Sequence, residues 1–284
     1  MSAGPDGPPA GVLATFGATD PVPVADTAIA LVWKVRTANG AAALKLYKPP
    51  GMGKERAGFD YLRAADGAGA ARVLGLTEDA ALTEWLPGPS LGDLVRTGED
   101  RRAAAELLAV SDRLRAASAR YAGPLPRLET WFESLLTLRF AADCPAPARR
   151  DVERAQMLAR ALLADQRAVG PMHGDLHQDN VRFGRGAFRA FDAKGVVGDR
   201  GYELANAFRN PVGADRLMRR PERVRMLRDL WSRGVGTSPR RLMGWAAAKA
   251  ALSIAWRSGP VLSDDPDLDL LGVLLAVWDE TPAG

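Results

Sequence analysis

Cysteine and histidine are nearly absent from this chain of 284 residues, and lysine is scarce. The single cysteine, Cys144, excludes an internal disulfide and suits a reducing compartment. No stretch approaches the roughly 18–20 uninterrupted apolar residues of a membrane helix; the longest apolar run, Leu270 to Trp278, is far shorter. Met1 to Pro9 lacks the basic and apolar parts of a secretory signal. These absences lead to the expectation of a cytoplasmic location and no membrane association. Acidic residues number 34 against 38 basic ones, of which only six are lysines and 32 are arginines. The net charge of +4 is small, and the arginines are spread along the chain, as solvated helix faces would have them. No nucleic-acid partner is expected.

What is present divides at Pro87-Gly88-Pro89. Residues 1–11 read as a loose Gly/Pro/Ala leader. Ala28 to Val35 and Ala41 to Tyr47 read as strands joined by Thr37-Ala38-Asn39-Gly40, a hairpin signal because Asn-Gly accepts positive φ. Lys54 to Ala65 reads as a helix, and Ala71 to Leu76 and Ala80 to Leu86 as strands. After Ser90 the pattern is helical over 91–96, 99–120, 128–142, 149–166, most of 202–258, and 268–278. The expected organisation is α+β and bilobal: a small β-rich lobe with one helix over 1–86, and a larger helical lobe over 87–284.

Both histidines fall within Met172-His173-Gly174-Asp175-Leu176-His177-Gln178-Asp179-Asn180. His173, Asp175 and Asn180 have the H-x-D-x4-N spacing of a kinase catalytic loop, in which the Asp receives the substrate hydroxyl proton and the Asn binds magnesium. Val181 to Phe183 and Ala187 to Phe191 alternate as strands around Gly184-Arg185-Gly186. That hairpin would return Asp192 beside Asn180, giving a hard-oxygen site suited to magnesium. Upstream, Lys45 lies between Leu44 and Leu46, and strand alternation places it on the opposite face from them. The following helix carries Glu55. A Lys–Glu pair of this kind holds an ammonium on nucleotide phosphates.

With Phe191-Asp192-Ala193-Lys194-Gly195, Gly198-Asp199 and Tyr202-Glu203-Leu204-Ala205-Asn206…Arg209-Asn210-Pro211, the chain resembles the aminoglycoside phosphotransferase family, of protein-kinase-like fold. The resemblance is most specific over 172–211 and closest to the branch acting on streptomycin or hydroxyurea. It implies an ATP-dependent small-molecule kinase using ATP and Mg2+. Asp175 would be the catalytic base, and Asn180 and Asp192 the metal ligands. Lys45 would bind nucleotide phosphates, Glu55 would hold Lys45, and the backbone of Glu84, Trp85 and Leu86 would receive the adenine. Tyr202 and Glu203 would belong to a structural helix. No G-x-G-x-x-G precedes Lys45; Val24 to Ala28 occupies that place without glycine. The absence of an A-P-E signal and of Arg after His173 argues against a protein kinase.

The expected partner is a small-molecule hydroxyl acceptor, with cationic compounds among the candidates, and the expected assembly a monomer or weak dimer. Residues 261–284 carry six acids and no base. Asp264 to Asp269 suit a turn and the start of the last helix, whereas Asp279 and Glu280 are candidate substrate contacts, as is Asp199. Two other readings stay open: a non-catalytic nucleotide-binding member of the fold, and a metallohydrolase ligated by His173 and His177. The second lacks the zincin Glu.

Overall fold

The structure is a computed structural model that describes residues 7–119 and 121–282. A short helix α1 (Ala10–Thr15) leads into β1 (Thr19–Asp26), β2 (Ala30–Thr37) and β3 (Gly40–Tyr47). Helix α2 (Arg56–Ala65) follows a 3-10 turn at Gly53–Glu55 and precedes β4 (Val73–Leu76) and β5 (Ala80–Glu84). The five strands form one antiparallel sheet in the order β1-β2-β3-β5-β4. The Asn-Gly hairpin forms as expected, with Thr37 paired to Gly40 and Gly40 at φ 107°.

Two parts of this lobe differ from the sequence reading. The leader expected over 1–11 is helical from Ala10, and Val12, Leu13 and Phe16 pack against the outer sheet cluster of Trp33, Val35, Leu44 and Leu82; residues 1–6 lie outside the described residues. β1 escapes the pattern because Pro21 and Pro23 interrupt it. It is an edge strand with two register shifts, and an edge tolerates prolines that a central strand would not.

The remaining chain is helical around small strand pairs. Its elements are α3 (Leu91–Arg96), α4 (Asp100–Ser118), α5 (Leu128–Leu136), β6 (Arg139–Phe140), α6 (Ala146–Ala164) and β7 (Gly170–Met172). Then come β8 (Val181–Gly184), β9 (Ala187–Ala190), β10 (Val196–Gly198), α7 (Asp215–Met218), α8 (Pro221–Val235), α9 (Pro239–Ser258), β11 (Val261–Leu262) and α10 (Leu268–Glu280). The helix expected over 128–142 stops at Leu136, and Arg139–Phe140 instead pairs in parallel with Val261–Leu262. α9 is the central post. From Leu242 to Ala255 every residue is buried, and its many alanines let α5, α6, α8 and α10 approach on different sides. Tyr202 and Phe132 pack edge-to-face on its Trp245 and on each other, and each fully buried large side chain contributes about 1.5–3 kcal/mol.

One close contact fixes the two halves to each other. A Cβ on Gly58 of α2 would stand 1.7 Å from the Ala193 carbonyl oxygen, so only glycine admits the loop against the helix. Glycine inside a helix costs about 1 kcal/mol relative to alanine, yet alanine here meets backbone that has no rotamer to yield. Gly58→Ala is therefore expected to lower stability by about 1–3 kcal/mol, measured by denaturant unfolding. An unchanged or raised midpoint contradicts this contact.

Candidate active site

In the β8–β9 hairpin, Val181 pairs with Ala190, and Arg185 and Gly186 turn the chain with φ of 49° and 79°. The Phe191 N–H donates to the Asn180 carbonyl at 2.9 Å, so the chain reaches Asp192 beside Asn180. Asp192 adopts φ 60°, uncommon for a residue with a side chain. Its Oδ1 accepts a 2.6 Å hydrogen bond from Lys45 Nζ across the cleft. Strand alternation holds on β3: Leu44 joins the outer core, while Lys45 faces the cleft.

Glu55 forms the expected ion pair with Lys45 only at its outer limit, with its closer bonds going to Lys194. It lies 3.9 Å from Lys45, and its hydrogen bonds accept from Lys194 at 2.9 and 3.1 Å. The Gly58 contact explains this, since it seats Ala193 on α2 and delivers Lys194 to Glu55. Lys45, Lys194, Glu55 and Asp192 thus form one neutral group of two cations and two carboxylates.

The loop 173–180 is held from beneath. Glu203, fully enclosed, accepts from the N–H groups of His173 (3.0 Å) and Gly174 (3.2 Å). Gly174 has φ 82°, and a Cβ there would strike Trp131 at 2.8 Å. Asp175 Oδ1 accepts from Asn206 Nδ2 at 2.7 Å, and the Asp175 carbonyl accepts from Asn180 Nδ2 at 3.0 Å. That bond uses the nitrogen of Asn180 and leaves its oxygen as the free donor atom for a cation. A carboxylate and an amide oxygen are hard ligands, so Asn180 and Asp192 fit magnesium shared with phosphate oxygens.

A cleft of about 440 Å³ opens between the sheet and the hairpin, with Lys45 and Asp192 in its lining. Val32, Ala43, Leu86 and Phe191 supply apolar walls, and Val24 and Ala25 at the end of β1 with Thr27 just after it contribute a further side. Glu84, Trp85 and Leu86 border it as expected. The Glu84 and Trp85 N–H groups already donate to the Arg72 and Ala41 carbonyls, which leaves the Leu86 N–H unbonded among the described residues. The Glu84 carboxylate points away to Arg189 (2.8 Å) and Arg185 (3.1 Å), linking β5 to the hairpin.

Three substrate candidates are placed elsewhere. Asp199 is 1% exposed and structural: it accepts from the Gly201 and Arg167 N–H groups and pairs with Arg241. Asp279 and Glu280 are drawn into ion pairs with Arg154 of α6 (2.6 Å) and Arg225 of α8 (2.9 Å). Asp265 and Asp267 precede α10, where Asp265 accepts from the Asp267 N–H, and they pair with Arg257 and Arg209. Sequence reasoning missed Asn206 and Lys194 as site residues and set Glu203 aside as structural, although all three lie within quoted motifs; what ties them to Asp175, Glu55 and the loop backbone is a fold contact.

The family model described as aminoglycoside/hydroxyurea antibiotic resistance kinase matches residues 16–259. The chain belongs to this family. It is 35% identical over 230 residues to streptomycin 3''-kinase of Klebsiella pneumoniae, covering 79% of this chain and 83% of that one. Its fold is that of aminoglycoside phosphotransferase APH(4)-Ia in complex with ADP and hygromycin B (TM-score 0.60, 15% identity, 96% of this chain and 98% of that one). A choline/ethanolamine kinase family protein from Mesorhizobium loti shares it as well (TM-score 0.64, 15% identity, 93% and 89%). The α+β, protein-kinase-like architecture expected from the sequence is thereby shown.

In this kinase the histidines serve the loop. His173 Nδ1 accepts the Asp175 N–H (3.3 Å) and Nε2 faces the Phe191 carbonyl (3.1 Å), while His177 Nδ1 accepts the Asp179 N–H. Both nitrogens of His173 are therefore engaged, contrary to the metallohydrolase reading. Among the described residues no three His, Cys, Asp or Glu side chains gather as a metal site. Burial pushes His173 down to about 4 against the pull of Asp175 and Asp192. Burial pushes Glu203 up to about 7 despite its two N–H donors. Asp192 is also pushed up by burial, but Lys45 and Lys194 outweigh this and hold it below the usual carboxylate range.

For His173 the sign is plain. Between pH 6.5 and about 4 the unfolded chain binds a proton here that the folded chain refuses, so this residue withdraws stability as pH falls through that window. With only two histidines in the chain, imidazole NMR reads it directly. The His173 ring is expected to stay neutral at pH 5 and to titrate near 4; a midpoint near 6.5 contradicts the enclosed geometry.

Proposed function

We propose that this kinase transfers the γ-phosphoryl group of ATP to a hydroxyl of streptomycin or a related small acceptor. The observation that carries the proposal is the Lys45–Asp192 pair in the lining of an apolar-walled cleft, with Asn180 beside the hairpin that delivers Asp192 and bonded to Asp175. The relation to streptomycin 3''-kinase favours streptomycin over hydroxyurea as the acceptor. Residues 1–86 act as the nucleotide lobe and 87–284 as the catalytic and acceptor lobe, in a cytoplasmic monomer or weak dimer.

Adenine fits between Val32, Ala43, Leu86 and Phe191, with the Leu86 N–H as its hinge donor. Lys45 exchanges Asp192 for the nucleotide phosphates, and Glu55 supports it at longer range through the shared group with Lys194. Asn180 and Asp192 would hold Mg2+, which when bound would supply the positive charge that neutralises the phosphates. Asp175, turned by Asn206, accepts the hydrogen of the acceptor hydroxyl and takes its proton as the new P–O bond forms and the bond to ADP breaks. Little covalent work is asked of the protein, because the transition state is loose and positioning dominates.

ADP release coupled to a reporter, with streptomycin as acceptor and a phosphorylated product identified by mass, tests the reading. Asp175→Ala is expected to lower turnover by about 10²–10⁴-fold while leaving nucleotide affinity near wild type; turnover at the wild-type rate rejects Asp175 as base. Asp192→Ala is expected to weaken Mg-ATP binding by at least about tenfold; unchanged affinity rejects its metal role.

A further inference from the structure

Lys249 stands out among the charged groups that the mechanism leaves unused. It projects from the middle of α9, is 3% exposed, and has no carboxylate within ion-pair distance among the described residues. Its Nζ offers three N–H donors, of which one is used, to Ser253 Oγ at 3.0 Å. The ammonium also lies 4.6 Å from the centre of the Trp256 ring. An enclosed ammonium satisfied this poorly is costly, and an apolar side chain of the same length would pack there without that cost.

What surrounds it is the far side of the catalytic base. Trp245, one turn before Lys249 on α9, packs on Tyr202 with ring centres 5.6 Å apart, and the charged groups near enough to act on Lys249 are Asp175 and His177 of the catalytic loop, Arg209 and Arg257. The two arginines are occupied by Asp265 and Asp267, so Asp175 is the acid that attracts the ammonium. α9 also packs on the turn that carries Asn206, whose Nδ2 holds Asp175. In this region Asn206 Oδ1 and the Tyr202 hydroxyl are buried with no hydrogen-bond partner. Unused donors on α9 and unused acceptors on the turns it packs against thus lie on the same side of a single carboxylate, and buried groups of this kind are ordinarily joined directly or through ordered water.

We propose that Lys249 is a positioning residue for Asp175: its two unused donors, with Asn206 Oδ1 and the Tyr202 hydroxyl, close a buried polar network that holds the carboxylate turned toward the acceptor hydroxyl. This rests on Asp175 as the base. Burial pushes Lys249 down to about 8, against the attraction of Asp175, so the network loses its charge and a donor as pH rises through that value.

The test uses Lys249→Met and Lys249→Gln in the full chain, with ATP and streptomycin as substrates. Both variants are expected to show kcat lowered about tenfold, with KM for ATP within about twofold and a melting temperature no lower than wild type. Wild-type kcat is expected to fall as pH rises through about 8, and that fall to be missing from both variants. A kcat within about twofold of wild type overturns the proposal. So does an alkaline fall that persists in the variants, or a joint loss of melting temperature and activity in both, which would mark Lys249 as a packing strut. Asp175→Ala run beside them separates the failures: full activity there removes the base itself, whereas full activity confined to the Lys249 variants removes only their role.

Discussion

The Lys45–Asp192 ion pair joins residues 147 positions apart and is the contact on which the site depends. It requires β3 to turn Lys45 into the cleft, the β8–β9 hairpin to return the chain beside Asn180, and Asp192 to accept a left-handed backbone. It also requires Gly58, because the loop that continues from Asp192 rests on the helix at that point. A half-buried pair of this kind adds little net stability, since desolvation offsets much of the attraction. Under the proposed function its value lies in exchange: a polyphosphate would offer Lys45 a stronger anion, and a cation would offer Asp192 a stronger partner, so one contact would give way to two.

The catalytic loop is organised by groups kept from their ordinary ionisation. His173 is held neutral and Glu203 is raised toward neutrality, both by burial, and each accepts hydrogen bonds from loop backbone N–H groups. Rigid support of this sort is what a reaction governed by positioning needs. Asp175 then stands on a fixed base with Asn206 on one oxygen, while Lys194 and Glu55 tie the loop after Asp192 to the start of α2.

Much of this was legible in the sequence because it is written in local pattern. The Asn-Gly hairpin, the alternation around Lys45, the H-x-D-x4-N spacing and the return of Asp192 each depend on a few consecutive residues. What was illegible depends on distant contacts. Glu55 reads as the partner of Lys45 and keeps that pair at 3.9 Å, but its closer bond to Lys194 comes from a loop that a glycine contact seats on α2. Asp279 and Glu280 looked free at a helix end, but Arg154 and Arg225 lie across from them on other helices. β1 was hidden because its prolines are acceptable only at a sheet edge, and edge position is a property of the whole sheet. Asn206 was visible as a letter in a motif, yet its hold on Asp175 spans 31 residues and appears only in the fold.

The most direct test of the account is a crystal structure of the protein with Mg2+ and AMP-PNP. The account predicts the metal on Asn180 and Asp192, Lys45 released from Asp192 onto the phosphates, and the γ-phosphate facing Asp175. A nucleotide bound away from this cleft, or a metal held without Asp192 while the Lys45–Asp192 pair stays closed, would contradict it.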